Sequence, residues 1–367
     1  MSNNAKIRKQ LTRRSMLRAS AATLGTAALS APSIGRAASS DPLRVGTYGG
    51  YFQDSFDTHI YPDFTSDTGI AIESIGEPTG EAWLVQLETA ARAGKAPADV
   101  SMMAQVPRLK GQNSRLWAPL DETAIPNTKN LPDHFVHRYD DGSVSGIGAV
   151  SWYITLVTNT DHYPDAPVSW KALWDPANAD SIGLLALVTN SFLLEITAAT
   201  WFDGTSILDT EEGILQVIDK LSEVRPNVRL WYRDEGQFQQ ALETGEIPMG
   251  QYYHDVTGLA ASDGKPVRST FPVEGGVLDS GSWSVSKASD RVDEAQVFID
   301  YMCHPAIQSK LSRFVGTAPT IRRELTDLTD EEFGAVASHI PPILPRYDIY
   351  NARGDWLNQK WSELIVG

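Results

Sequence analysis

The chain has 367 residues, with 31 Lys and Arg against 46 Asp and Glu, a net charge of −15 at pH 7. So acidic a surface repels nucleic acid and anionic lipid, and the single cysteine, Cys303, excludes an intrachain disulfide. After residue 40 no stretch is apolar enough to supply the ~20 residues of a bilayer-spanning helix.

The first element is an address. Lys6, Arg8 and Lys9 open the chain without an acidic neighbour, followed by Thr12-Arg13-Arg14-Ser15-Met16-Leu17-Arg18. A short Ala-, Ser- and Thr-rich apolar run, Ala19 to Ile34, then leads to Gly35-Arg36-Ala37-Ala38. A charged head, a short apolar run and a small-residue cleavage site make a signal peptide. Paired arginines mark the twin-arginine route, which exports proteins already folded. The reading is residues 1–38 as a detachable signal, cleaved near Ala37/Ala38, and a periplasmic mature protein. The signal holds seven basic residues and no acidic one, so the mature chain keeps 24 basic against 46 acidic residues, a net charge near −22. No cysteine near the cleavage site offers a lipid anchor. About 330 mature residues exceed what one core usually organises, so two lobes are expected.

Leu43 to Thr47 reads as a buried strand ended by Gly49-Gly50. Phe56, Ile60 and Phe64 recur at helical spacing, and Thr68-Gly69 closes that helix. Ala71 to Ile75 and Asp99 to Met103 are the next strands, with an amphipathic helix through Trp83, Leu84 and Leu87 between them. A short helix runs from Val106 to Asn113. Such alternation predicts a mostly parallel sheet covered on both faces. A second series starts with the long β-rich stretch Ile147 to Asn159 and a short helix over Trp170–Trp174. Helical patterns follow at 192–201, 211–223 and 235–244, then strands at 247–253 and 283–285. The helix through Val292, Phe298 and Met302 stops before Pro305, and the last amphipathic helix spans 355–366.

Motifs for chemistry are scarce. The seven histidines give no metal-ligand spacing beyond His134/His137. No Gly-x-Ser-x-Gly elbow, Walker A loop or GxGxxG fingerprint occurs. No catalytic residue, cofactor or resident metal is therefore assigned, and the chain is read as a non-enzyme. Tyr48-Gly49-Gly50-Tyr51 sits at the carboxyl end of the first strand, where ligands collect in doubly wound sheets. Tyr48, Tyr51, Trp152, Tyr153, Tyr252, Tyr253, Tyr347 and Tyr350 all fall near strand ends or connections. Such rings enclose apolar or cationic ligand parts at low entropic cost.

The order and spacing of several segments resemble the periplasmic substrate-binding proteins of ABC importers, in the cluster around the spermidine/putrescine binders. They are Val45-Gly46-Thr47-Tyr48-Gly49-Gly50-Tyr51, Phe64-Thr65-Ser66-Asp67-Thr68-Gly69-Ile70, Pro167-Val168-Ser169-Trp170-Lys171-Ala172-Leu173-Trp174, Gly245-Glu246-Ile247 and Phe271-Pro272-Val273-Glu274-Gly275-Gly276. Val285 and Met302-Cys303-His304-Pro305 follow in step. The resemblance implies an α/β, type II periplasmic binding protein fold: two doubly wound lobes joined by crossing β-segments, with the ligand cleft between them. The expected lobes are 41–150 plus 277–320 and 151–276 plus 321–367, hinged at 150–159, 267–276 and 316–321. It further implies a monomer that captures a small molecule and delivers it to the importer's membrane subunits.

The ligand expected from the resemblance is an amine-containing solute, putrescine- or spermidine-like or a related amino compound. Polyamine binders hold ammonium groups with carboxylates between aromatic rings. Their acidic pair falls here near Val188-Thr189-Asn190-Ser191, which lacks a carboxylate, and a further acid is replaced by Gly281. Asp279 and Asp255 are the candidates to compensate, since a buried cation needs a paired charge. Asp279 also fits an Asx-turn in Leu278-Asp279-Ser280-Gly281, and Asp255 also fits a helix N-cap. The amides of Gly49 and Gly50 suit a ligand carboxylate or phosphonate, so a zwitterion is as compatible as a diamine. The candidate binding set is Tyr48, Gly49, Gly50, Tyr51, Gln105, Trp152, Asn190, Ser191, Tyr253, Asp255, Asp279, Ser280 and Tyr350. Two other readings compete: a ferric-iron binder using Tyr252-Tyr253, and a periplasmic enzyme exported by the twin-arginine route.

Overall fold

The computed structural model describes residues 41–78 and 81–366; the expected export signal lies outside them. Ten strands form one hydrogen-bonded sheet: β1 (Leu43–Tyr48), β2 (Ile72–Glu77), β3 (Val100–Ala104), β4 (Val136–Arg138), β5 (Val144–Asn159), β6 (Ile182–Leu185), β7 (Val228–Tyr232), β8 (Met249–Tyr253), β9 (Val267–Thr270) and β10 (Val277–Val285). The main order is β2-β1-β3-β10-β5-β8-β6-β7, with β4 and β9 also paired to β5. β1 is parallel to β2 and β3, and β6 is parallel to β7 and β8. The two parallel blocks are joined by antiparallel β10 and β5. The expected parallel sheet is thus found at both ends, while the middle is antiparallel.

β5 makes the join. Its first half pairs with β10, its second half pairs with β8 and β9, and Ile154 faces both Val277 and Tyr253. One core gathers Leu43, Phe56, Phe64, Trp283 and Phe298; a second gathers Trp170, Leu184, Ile196, Met249 and Trp361. Trp152, on β5, packs against both. Ile321, Leu328, Phe333 and Val336, which the sequence placed with the second lobe, pack in the first core. Among the described residues no helix is long and apolar enough to cross a membrane.

Local signals place several elements. Asp234 Oδ1 accepts from Gln237 N at 2.8 Å, and Gly245 closes the helix Glu235–Thr244 at φ 75°. These are an acidic N-cap and a left-handed C-cap, each worth a fraction to a few kcal/mol. Pro305 does not end the chain's helical run but starts a new helix, Pro305–Phe314, with His304 as its cap. Proline at the first helical position loses no needed hydrogen bond. The last helix begins at Tyr347, eight residues before the expected start, and bends at Arg353. The largest departure is β10. The turn-like Leu278-Asp279-Ser280-Gly281 is extended because its backbone pairs with β5 throughout and joins β3 from Gly281 onward, so Asp279 is not in an Asx-turn. Strand pairing outweighs local turn preference.

Glu77, the last residue of β2, is buried, and its Oε1 accepts from Met102 N at 3.1 Å. Burial pushes its carboxyl up to about 8. Because this lies above the ordinary carboxylate value, the protonated group is favoured by folding. The stability it gives is full below pH ~4.5 and declines as pH rises toward 8, by at most about 1.4 kcal/mol per unit. Glu77→Gln keeps the acceptor and removes the titration. Urea midpoints between pH 5 and 8 should therefore fall less steeply for the variant than for the parent; equal slopes would refute this assignment.

Candidate functional site

The carboxyl ends of β1 and β8, the middle of β5, the start of β10 and the start of the last helix converge on one carboxylate. Asp279 sits opposite Trp152 in the β10–β5 register. The Tyr347 hydroxyl donates to Asp279 Oδ1, which also accepts from Ser280 N at 2.7 Å. Burial raises the Asp279 carboxyl to about 6, opposed by its bonds to Tyr347 and Ser280 and by the nearby Trp152 indole. Among the described residues no Lys or Arg pairs with it. Isolated buried carboxylates are costly, so a cation placed here would be stabilised.

Aromatic rings line this point. Tyr48, ending β1, meets Trp152 edge-on at 6.4 Å and Phe52 at 5.7 Å. Phe192 meets Tyr347 edge-on at 6.1 Å. Phe192 has φ 51°, a left-handed conformation rare for a bulky residue, between the helices Val188–Ser191 and Leu193–Trp201. Backbone strain of this sort tends to gather at binding sites. The Tyr48 hydroxyl and the Trp152 indole N–H are buried without an aligned hydrogen-bond partner. A Cβ at Gly281 would stand 3.0 Å from the Tyr48 hydroxyl oxygen, so the glycine leaves that oxygen its room.

The remaining expected residues divide. Gln105 and Ser280 are brought to the site, Gln105 Nε2 donating to Ser280 Oγ at 3.1 Å and Ser282 Oγ at 2.7 Å. Tyr253 lies within electrostatic reach of Asp279, and its hydroxyl donates to Glu235 Oε1 at 2.8 Å. Asp255 lies in the first turn of the helix His254–Ser262, whose N-cap is Tyr253 rather than Asp255. Its Oδ1 is buried without a partner, and burial raises its carboxyl to about 6. Gly49 and Gly50 form the turn after β1, with Gly50 at φ 67°. The side chain of Tyr51 lies outside the described part of the molecule. Asn190 is exposed and accepts from Thr189 Oγ1 at 2.7 Å. Ser191 is buried, its carbonyl accepting from Gln251 Nε2 at 2.7 Å. Tyr350 is committed elsewhere: its hydroxyl donates to Glu195 Oε2 at 2.7 Å.

Glu195 went unnoticed in the sequence because it sits in an apolar helix. It is fully buried, and it accepts from Arg346 N at 2.8 Å as well as from Tyr350. It anchors the last helix and so positions Tyr347. Arg108 also gave no sequence signal, since a lone arginine in a short polar helix reads as surface. It is 4% exposed.

The segments that carried the resemblance hold one another. Glu274 accepts from the Ser169 hydroxyl and, at 3.1 Å, from Trp170 N, and Trp170 Nε1 donates to Gly275 O at 2.8 Å. Their shared pattern reports architecture rather than a ligand contact.

Comparison with known proteins agrees with this architecture. A γ-aminobutyric acid-binding protein of Pseudomonas aeruginosa is 24% identical over 287 residues, 77% of this chain and 78% of that protein. The spermidine/putrescine-binding periplasmic protein of Escherichia coli is 21% identical over 259 residues, 70% and 72% of the two chains. In fold, an ABC transporter substrate-binding protein from Bradyrhizobium japonicum superposes with a TM-score of 0.72 at 22% identity, over 88% of this chain and 99% of that one. Residues 60–332 match the family described as bacterial extracellular solute-binding protein, and the chain belongs to that family.

Proposed function

We propose that the protein captures a small solute bearing a protonated amine in the cleft at Asp279 and delivers it to the membrane subunits of an ABC importer, without chemical turnover. The carrying observation is Asp279, a partly buried carboxylate with no basic partner among the described residues, set among Tyr48, Trp152, Tyr347 and Phe192. An ammonium there gains the carboxylate and faces of aromatic rings together. The relatives that bind γ-aminobutyric acid and spermidine or putrescine support an amine as the shared feature. The mature chain works as a periplasmic monomer after twin-arginine export and cleavage near Ala37/Ala38. The blocks on either side of β5 and β10 act as its two lobes, and the solute favours the closed state by binding it more tightly.

A thermal-shift series with putrescine, spermidine, agmatine and γ-aminobutyrate tests this. Ligand at a hundredfold excess over Kd stabilises the native state by about 2.7 kcal/mol, a shift of several degrees. If no amine raises the midpoint, the amine reading is wrong.

A further inference from the structure

Glu77 ends β2, yet its side chain serves the two strands beyond it. Glu77 and Tyr48 are register partners between parallel β2 and β1. From there the carboxyl passes over β1 at Gly46 and reaches β3, where Oε1 accepts from Met102 N at 3.1 Å. The passage is open because residue 46 has no side chain: a Cβ there would collide with Oε1 and stand 3.0 Å from Cγ. Glu77 is 7% exposed, and the groups that bond its carboxyl are neutral: the Met102 amide, the Ser101 hydroxyl and the Trp83 indole. A buried acid pays for its desolvation unless it is bonded in this way.

This clip sits where the sheet opens. β1 and β3 pair only at Val45↔Val100 and Gly46↔Ser101, although β1 runs on to Tyr48 and β3 to Ala104. Beyond Gly46 the two strands part, and the Glu77 carboxyl spans the parting to Met102. Both sides of it face the cleft. Tyr48 of β1 and Met102 of β3 meet over Gly281 of β10, where a Cβ would stand 3.0 Å from the Tyr48 hydroxyl oxygen and 3.2 Å from Met102 Cγ. The Tyr48 ring meets Trp152 edge-on at 6.4 Å, and Trp152 lies opposite Asp279. Tyr48 is within electrostatic reach of both Asp279 and Glu77. The spread of β1 from β3 therefore decides where the Tyr48 hydroxyl stands in the site.

We propose that Glu77 is a positioning residue for the amine site: its carboxyl, laid over Gly46 onto the Met102 amide, fixes the spread of β1 and β3 and so seats Tyr48 beside Asp279. This rests on the amine reading above and adds the support behind one of its walls. Glu77 acts through Tyr48 and needs no contact with the solute. Binding groups hold their geometry only as well as the hydrogen bonds behind them.

The test is calorimetric titration at pH 7.5 with whichever of putrescine, spermidine, agmatine and γ-aminobutyrate binds the parent most tightly. Glu77→Ala should weaken binding at least about tenfold, while Glu77→Gln, which keeps the acceptor, should weaken it less than about threefold. Tyr48→Phe keeps the ring and removes the hydroxyl that the clip places. In that background Glu77→Ala should cost less than about threefold, because residues acting through one contact are not additive. If Glu77→Ala does not fold, Glu77→Asp, one methylene too short to reach Met102, reads the same losses. The positioning role falls, and the amine reading stands, if the folded Ala or Asp variant binds as the parent does, or if Gln is as weak as Ala. It falls equally if the loss is as large in the Tyr48→Phe background as in the parent. If no amine binds the parent, both fall.

Discussion

Asp279→Asn is expected to weaken binding of an amine solute by about 100- to 1000-fold at pH 7.5, the 3–4 kcal/mol typical of a buried charge pair losing one partner. Asparagine keeps the side-chain shape and can still accept from Tyr347, so the change removes charge and little else. The variant should not owe this loss to unfolding. The Asp279 carboxyl is raised above its unfolded value by burial, so its ionised form costs stability as pH rises past the ordinary carboxylate range. Removing the ionisable group therefore spares the fold that cost. In the parent, affinity should decline about tenfold per pH unit below about 6, where Asp279 takes up its proton. Calorimetric titrations of parent and variant from pH 5 to 8 measure both effects. An Asn variant that binds as well as the parent would remove Asp279 from the site.

Gly275→Ala is expected to be strongly destabilising. Gly275 has φ 107°, a region L-residues rarely adopt, and a Cβ there would stand 2.3 Å from the Pro341 carbonyl oxygen. That neighbour is backbone and cannot turn aside. Strain at the dihedral and overpacking each cost about 1–3 kcal/mol. The site also fixes Trp170, whose Nε1 donates to the Gly275 carbonyl. Together these should lower stability by roughly 3 kcal/mol or more and the melting temperature by about 4 °C or more. Differential scanning calorimetry of the unliganded variant checks it, and an unchanged melting temperature would show that the segment shifts without cost.

The architecture was legible where local chemistry and periodicity agreed. The helix Glu235–Thr244 was read with its bounds intact because a polar cap and a glycine bracket an apolar face. The long apolar stretch of β5 announced the crossing strand, since a strand buried on both faces reads as a continuous run. β10 was read as only its last three residues, because Asp, Ser and Gly favour turns and nothing local reveals two flanking strands. β6 and β7 are four and five residues long, too short for a period to register.

The site was legible in part for the same reason. Tyr48, Trp152 and Asp279 were named because strand ends and unpaired acids are chemically conspicuous. Tyr350 was drawn in by its aromatic ring, yet its hydroxyl is spent on Glu195, 155 residues away in sequence. Asn190 follows a motif position but faces solvent. Tyr347 was one tyrosine among many until the last helix proved to start there. Arg108 had no periodic or motif signal at all; only burial without a counter-ion distinguishes it.

The central claim, a binding protein whose cleft takes an amine-bearing small solute, is tested most directly by calorimetric titration of γ-aminobutyrate, putrescine and spermidine into the purified protein at pH 7.5. The account predicts saturable binding of at least one of them with one site per chain. Heats of dilution alone for all three, from protein that melts cooperatively, would contradict it.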